Sequence, residues 1–125
     1  MQTVFTIHET WGYVAIVLNA LAGLYALLAW KFRSLRGRPV WIATIVAEGA
    51  VLLQVLLGTI LVAGDEGYRK SVPRFHMFYG FVIFVTVGLL YQYRTQMKGR
   101  QELLYGLGGL FIMGLGIRAV MQVAE

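Results

Sequence analysis

His8 and His76 are the only two imidazoles in a chain of 125 residues that contains no cysteine. Without thiolates there is no disulfide, no iron–sulfur cluster, no cysteine nucleophile and no thiolate zinc site. Metal chemistry therefore falls to the histidine pair. A zinc ion would need carboxylates such as Glu9, Asp65 or Glu66 to complete its shell. A heme iron needs only two axial imidazoles. Ser34 and Ser71 lie in connecting segments with no base and orienting group beside them in the pattern, so a serine nucleophile is not signalled.

The two histidines head matching segments. His8-Glu-Thr-Trp-Gly12-Tyr-Val14 is echoed by His76-Met-Phe-Tyr-Gly80-Phe-Val82, and Val17 with Val85 and Leu21 with Leu89 continue the match at the same offset. On a helix, Gly12 and Gly80 fall one turn deeper than their histidines on the same face. A position without Cβ there leaves room for a flat macrocycle held between helices. Below His8 the stripe Gly12, Ala15, Asn19, Ala22 and Ala26 is made of small residues. Such stripes also let helices pack closely in lipid, which is the plainer explanation of the stripe alone.

Other charges could serve such a site. Arg74 stands just before His76, and Arg118 lies near the end of the last apolar run. Either cation could pair with a heme propionate, and Arg118 with a quinone head group; an arginine this near a span end can also snorkel to the surface. Glu48 is a carboxylate deep within the second apolar run, roughly 12–14 Å from its nearer end at 1.5 Å per residue. Asn19 at similar depth could bond it, and Gln54 is a further polar group inside the run. An interhelical hydrogen bond and a proton path both remain open for Glu48.

The elements that must position these residues are unmistakably apolar. Hydrophobic residues make up 58% of the chain and charged residues 14%, against about 25% charged in ordinary soluble domains. Four apolar runs, at about residues 7–30, 40–63, 75–97 and 103–123, each reach the length of about 20 residues that crosses a bilayer core. Short connections make neighbours antiparallel. The expected fold is therefore an all-α integral membrane protein, a single up-down-up-down four-helix transmembrane bundle built of two tandem helical hairpins. Helices one and three then face each other diagonally, with both histidines at one end.

The net charge of +5 is mostly a topology signal. Lys31, Arg33, Arg36, Arg38, Arg94, Lys98 and Arg100 flank the first and third connections. Arg69, Lys70, Arg74 and Arg118 lie at the other end, where Asp65 and Glu66 dilute them. The positive-inside rule makes the first end cytoplasmic and both termini extracytoplasmic, as in a bacterial inner (plasma) membrane protein. Because these cations flank apolar spans, no nucleic-acid patch is expected. The first run has no basic residue before it and exceeds a signal-peptide core, so it is expected to stay attached.

The segment Leu52-Leu-Gln54-Val-Leu-Leu-Gly58-Thr-Ile-Leu-Val62, followed by a short connection and Pro73-Arg-Phe-His76, resembles the second-to-third helix region of one half of heme A synthase. That family is similar to two fused four-helix bundles, each with a histidine pair at the outer ends of its first and third helices. The resemblance implies that His8 and His76 are axial ligands of heme b. The catalytic half of the family carries a glutamate four residues before its first histidine, where this chain has Val4. That departure implies a cofactor-holding or electron-transfer bundle, like a small membrane b-type cytochrome, and not an oxidising enzyme.

The expected function is thus bis-histidine heme binding for electron transfer, with Gly12, Gly80, Arg74 and Arg118 around the cofactor. Quinone, a respiratory complex or a second copy of the chain would be its partners within the lipid bilayer. The competing expectations are a non-enzymatic accessory or scaffold subunit of a larger membrane complex and a small transporter using Glu48 and Arg118. Glycine-rich helix four, with Gly106, Gly108, Gly109, Gly114 and Gly116, suits partner packing equally well.

Overall fold

The computed structural model describes residues 2–123. Among them are five α-helices: α1 (Gln2–Lys31), α2 (Arg38–Gly64), α3 (Glu66–Ser71), α4 (Arg74–Tyr93) and α5 (Gln101–Met121). The four longer ones correspond to the apolar runs, and each is long and apolar enough to cross a membrane. The short α3 interrupts the connection between α2 and α4.

Local chemistry sets most of the boundaries. Between α1 and α2 the chain makes one 3-10 turn at Arg33–Leu35 and then passes Gly37 at φ +126°. A residue with a Cβ is strained in that conformation. Asp65 caps α3, its Oδ1 accepting from the Tyr68 amide at 3.1 Å. Pro73 precedes α4 and helps stop α3 from running on. The third apolar run was expected to continue to about residue 97, but α4 ends at Tyr93. Residues 94–99 form turns, with Gly99 at φ +86°, because Arg94, Lys98 and Arg100 have no apolar face to bury.

The long helices are arranged in a ring. α1 packs extensively on α2 and α5, and α5 on α4, whereas α2 and α4 barely touch. Thus α1 and α4 face each other across the bundle and one side of the ring is nearly open. The α1–α5 seam is held by backbone proximity. A Cβ on Gly109 would lie 3.1 Å from the Gly23 Cα and 3.2 Å from the Asn19 carbonyl oxygen. A Cβ on Gly23 would be 3.0 Å from both the Gly106 carbonyl oxygen and the Leu110 nitrogen. These contacts need glycine on both helices.

Inside the ring, Ala15, Ala50, Val51, Ile83, Val87, Leu90, Ile112 and Leu115 form the main core. A second cluster, Ala26, Ala29, Val40 and Tyr105, closes the end that carries the first and third connections. Polarity runs opposite to a soluble protein. His8, Asn19, Thr44 and Glu48 are buried, while Leu21, Leu24, Phe78, Phe81, Phe84 and Leu107 are more than half exposed.

Candidate functional site

Three side chains of α1 and α2 fix the register that places His8. Each donates to a main-chain carbonyl of the facing helix: Trp11 Nε1 to Ala50 at 2.7 Å, Asn19 Nδ2 to Ala47 at 3.1 Å, and Gln54 Nε2 to His8 at 2.6 Å. Such bonds are the only satisfaction an amide finds where water is excluded. Asn19 also bonds the Ala15 carbonyl at 2.9 Å, so its donor serves backbone and not Glu48.

The His8 ring lies against Gly58 of α2. A Cβ at that position would come within 3.0 Å of His8 Cε1. The ring is buried, and its Nδ1 has no hydrogen-bond partner among the described residues. The Gln54 Oε1 beside this helix contact is likewise buried and unpartnered. Two orphaned polar atoms in one wall are costly, at about 1–3 kcal/mol each.

His76 approaches from the opposite helix. Its Nδ1 lies 2.8 Å from the Ala119 carbonyl oxygen of α5. A carbonyl only accepts, so Nδ1 carries a hydrogen, and in the neutral ring Nε2 has the lone pair. Backbone bonding of one imidazole nitrogen is the usual way in which a metal-binding histidine is oriented. The two rings face each other with centroids 6.1 Å apart and planes at 83°.

Beside the pair is a cavity of about 480 Å³, bounded by all four long helices and by Tyr68 of α3. Its walls are almost wholly apolar, among them Ala15, Val55, Phe81, Ile83, Phe84 and Ile112. The volume falls in the range of about 300–1,000 Å³ usual for small-molecule sites. Tyr68 stacks edge-on with Phe5 at 5.9 Å, and burial pushes its phenol above the ordinary tyrosine value.

The remaining sequence candidates divide. Gly80 borders open space, with no atom within 4 Å of a Cβ built on it, and it lines the cavity. Gly12 also lines the cavity, but the space beside it is taken by Gln54, whose Nε2 would stand 2.8 Å from a Cβ there. Arg74 and Arg118 are exposed and do not line the cavity. Glu48 is buried beside a void of only about 10 Å³ with Asn19, Thr44 and Tyr105, and exposed Arg118 does not line that void. A histidine–carboxylate zinc shell is not assembled either: among the described residues no three His, Asp or Glu side chains are grouped to hold an ion.

Gln54 and Gly58, both within the segment Leu52–Val62, belong to the site through their contacts with His8, and Tyr68 joins them although no motif marks it. Gln54 and Gly58 are also spaced one helical turn apart on a single face of α2. Comparison of the chain with protein-family models, with curated proteins and with solved structures finds no match.

Proposed function

We propose that the protein is an integral membrane b-type heme protein, a small electron-transfer relative of the heme A synthase half-bundle. Its first support is the inverted polarity of the bundle: polar side chains point inward, and a belt of large apolar ones points outward from four helices of membrane-spanning length. The greater number of cations around the first and third connections favours placing that end on the cytoplasmic side of a bacterial inner membrane.

The observation that carries the cofactor reading is the separation of the imidazoles. A metal shared by one nitrogen of each ring, at about 2.0–2.1 Å from each, requires the two rings to approach closely. The rings stand at 6.1 Å. The residues present fit the group in three further ways. His76 is locked with Nε2 available, His8 has an orphaned nitrogen, and an apolar cavity adjoins both.

When bound, the heme would supply reversible one-electron chemistry. The chain's own part is to present two imidazoles, to surround the cofactor with aliphatic and phenylalanine side chains, and to orient His76 through Ala119. An apolar lining with few polar groups would tune the potential. Exposed Arg74 at the head of α4, two residues before His76, is a candidate for a propionate at the membrane surface.

The test is an absorption spectrum of protein purified from heme-replete cells, oxidised and reduced. A six-coordinate low-spin spectrum is expected, lost in both His8→Ala and His76→Ala. A preparation that stays colourless after heme addition would overturn the reading and leave the scaffold alternative.

A further inference from the structure

A second cavity, of about 550 Å³, opens at the opposite end of the bundle among the ends of α2, α4 and α5. Arg38, Trp41, Arg94, Gln101, Glu102 and Tyr105 line it. Its charge is not self-compensated. Glu102 has its own cation outside the lining, Arg36, whose Nε lies 3.8 Å from the carboxylate. Arg36 is otherwise committed to the chain, donating to the Ala29 and Trp30 carbonyls at 2.8 and 2.6 Å. Arg38 and Arg94 make no salt bridge among the described residues.

Arg94 is also held ready. Its guanidinium lies 4.1 Å from the Tyr91 ring centre and 5.7 Å from that of Trp41. A guanidinium held against aromatic faces can still offer its N–H edge to an oxyanion, which it binds in a forked pair of hydrogen bonds. The first turns of α2 and α5 open near the same space without side-chain caps, adding partial positive charge. Trp41, Val40 and Tyr105 supply an apolar side to the cavity, matching the boundary between a phosphate and an acyl chain.

We propose that this cavity is a phosphate-oxyanion site in which Arg38 and Arg94 hold a monoanionic phosphate group at the basic end of the bundle. The site is independent of the histidine cavity. Its phosphate could be carried by an acidic phospholipid or be free in solution, and the experiment separates these sources.

Whole protein in nonionic detergent is exposed to dioleoyl phosphatidylglycerol or dioleoyl phosphatidylcholine and examined by native mass spectrometry; inorganic phosphate is titrated against tryptophan emission. Preferential retention of phosphatidylglycerol, about tenfold weaker in R38Q/R94Q and unchanged in R69Q/K70Q at the other end, supports the site with a lipid source. A saturable response to inorganic phosphate lost in R38Q/R94Q supports it with a free source. Should the double variant not fold, exposed Arg38 alone, as R38Q, is expected to weaken binding severalfold. The proposal is overturned if wild type shows neither preference nor response. It is equally overturned if R38Q/R94Q or R38Q binds like wild type, or if R69Q/K70Q loses as much.

Discussion

At the scale of single residues, His8 depends on what α2 lacks opposite it. Gly58 provides the gap into which the ring fits, and Gln54 holds the His8 carbonyl. Adding one methyl group at Gly58 would press on His8 Cε1 from 3.0 Å, and a branched side chain has no room without moving the ring. Gly58→Val is therefore expected to lower heme retention by at least about tenfold, equivalent to about 1.4 kcal/mol. Gly49→Ala, which meets open space and does not line the cavity, should retain it. Heme titration followed by absorbance checks the pair, and equal loss in both variants would count against the geometry of the His8 wall. Sequence spacing found both histidines because a repeated motif survives in one dimension. It could not show that Gly58 meets His8, since a glycine among aliphatic residues looks the same whether it faces lipid or a ring.

At the scale of helices, the glycines of α5 are not equivalent to those elsewhere. Gly109 meets backbone atoms of α1, which cannot swing aside as a flexible side chain can, while Gly49 and Gly88 meet nothing within 4 Å. Gly109→Val is expected to destabilise the protein by about 1–3 kcal/mol through overpacking. Gly88→Ala should leave stability equal or raise it by up to about 1 kcal/mol, the helix-propensity difference. Thermal unfolding in detergent separates these outcomes, and a Gly109→Val variant as stable as wild type would mean that the α1–α5 seam is looser than described. The glycine-rich composition of α5 left partner packing and internal packing open. Its buried glycines Gly106, Gly108, Gly109 and Gly116 instead meet Leu27, Leu90, Gly23 and Ile16 of the same chain. The near-open flank between α2 and α4 was also invisible in the sequence, since all four apolar runs are of similar character.

At the scale of the whole molecule, the four-helix reading requires the first and third connections to share one side of the membrane and the second to lie on the other. Because the chain has no cysteine, single replacements report sidedness without background. Ser34→Cys and Lys98→Cys are expected to react with a membrane-impermeant maleimide from one side only, and Ser71→Cys from the opposite side. Labelling of all three from the same side would overturn the topology. Proteins with marginal charge bias can insert in either direction; here seven basic residues flank the first and third connections, which favours one orientation.

The sequence alone determined the number of long helices, their order and the end at which both histidines sit. Those properties follow from runs of apolar residues, from backbone hydrogen bonding satisfied within each helix, and from short polar connections. Only the tertiary structure decided which faces meet. It brought His8 and His76 to 6.1 Å and removed Asn19 from Glu48 by giving its amide to the Ala15 and Ala47 carbonyls. It set Arg74 and Arg118 on the outside and gathered Arg38, Trp41, Arg94 and Tyr105 around a cavity. The physical reason is that helix rotation and register are fixed by contacts between distant residues. A glycine admitting a ring and an amide reaching a facing carbonyl decide them, and neither has a signature along the chain.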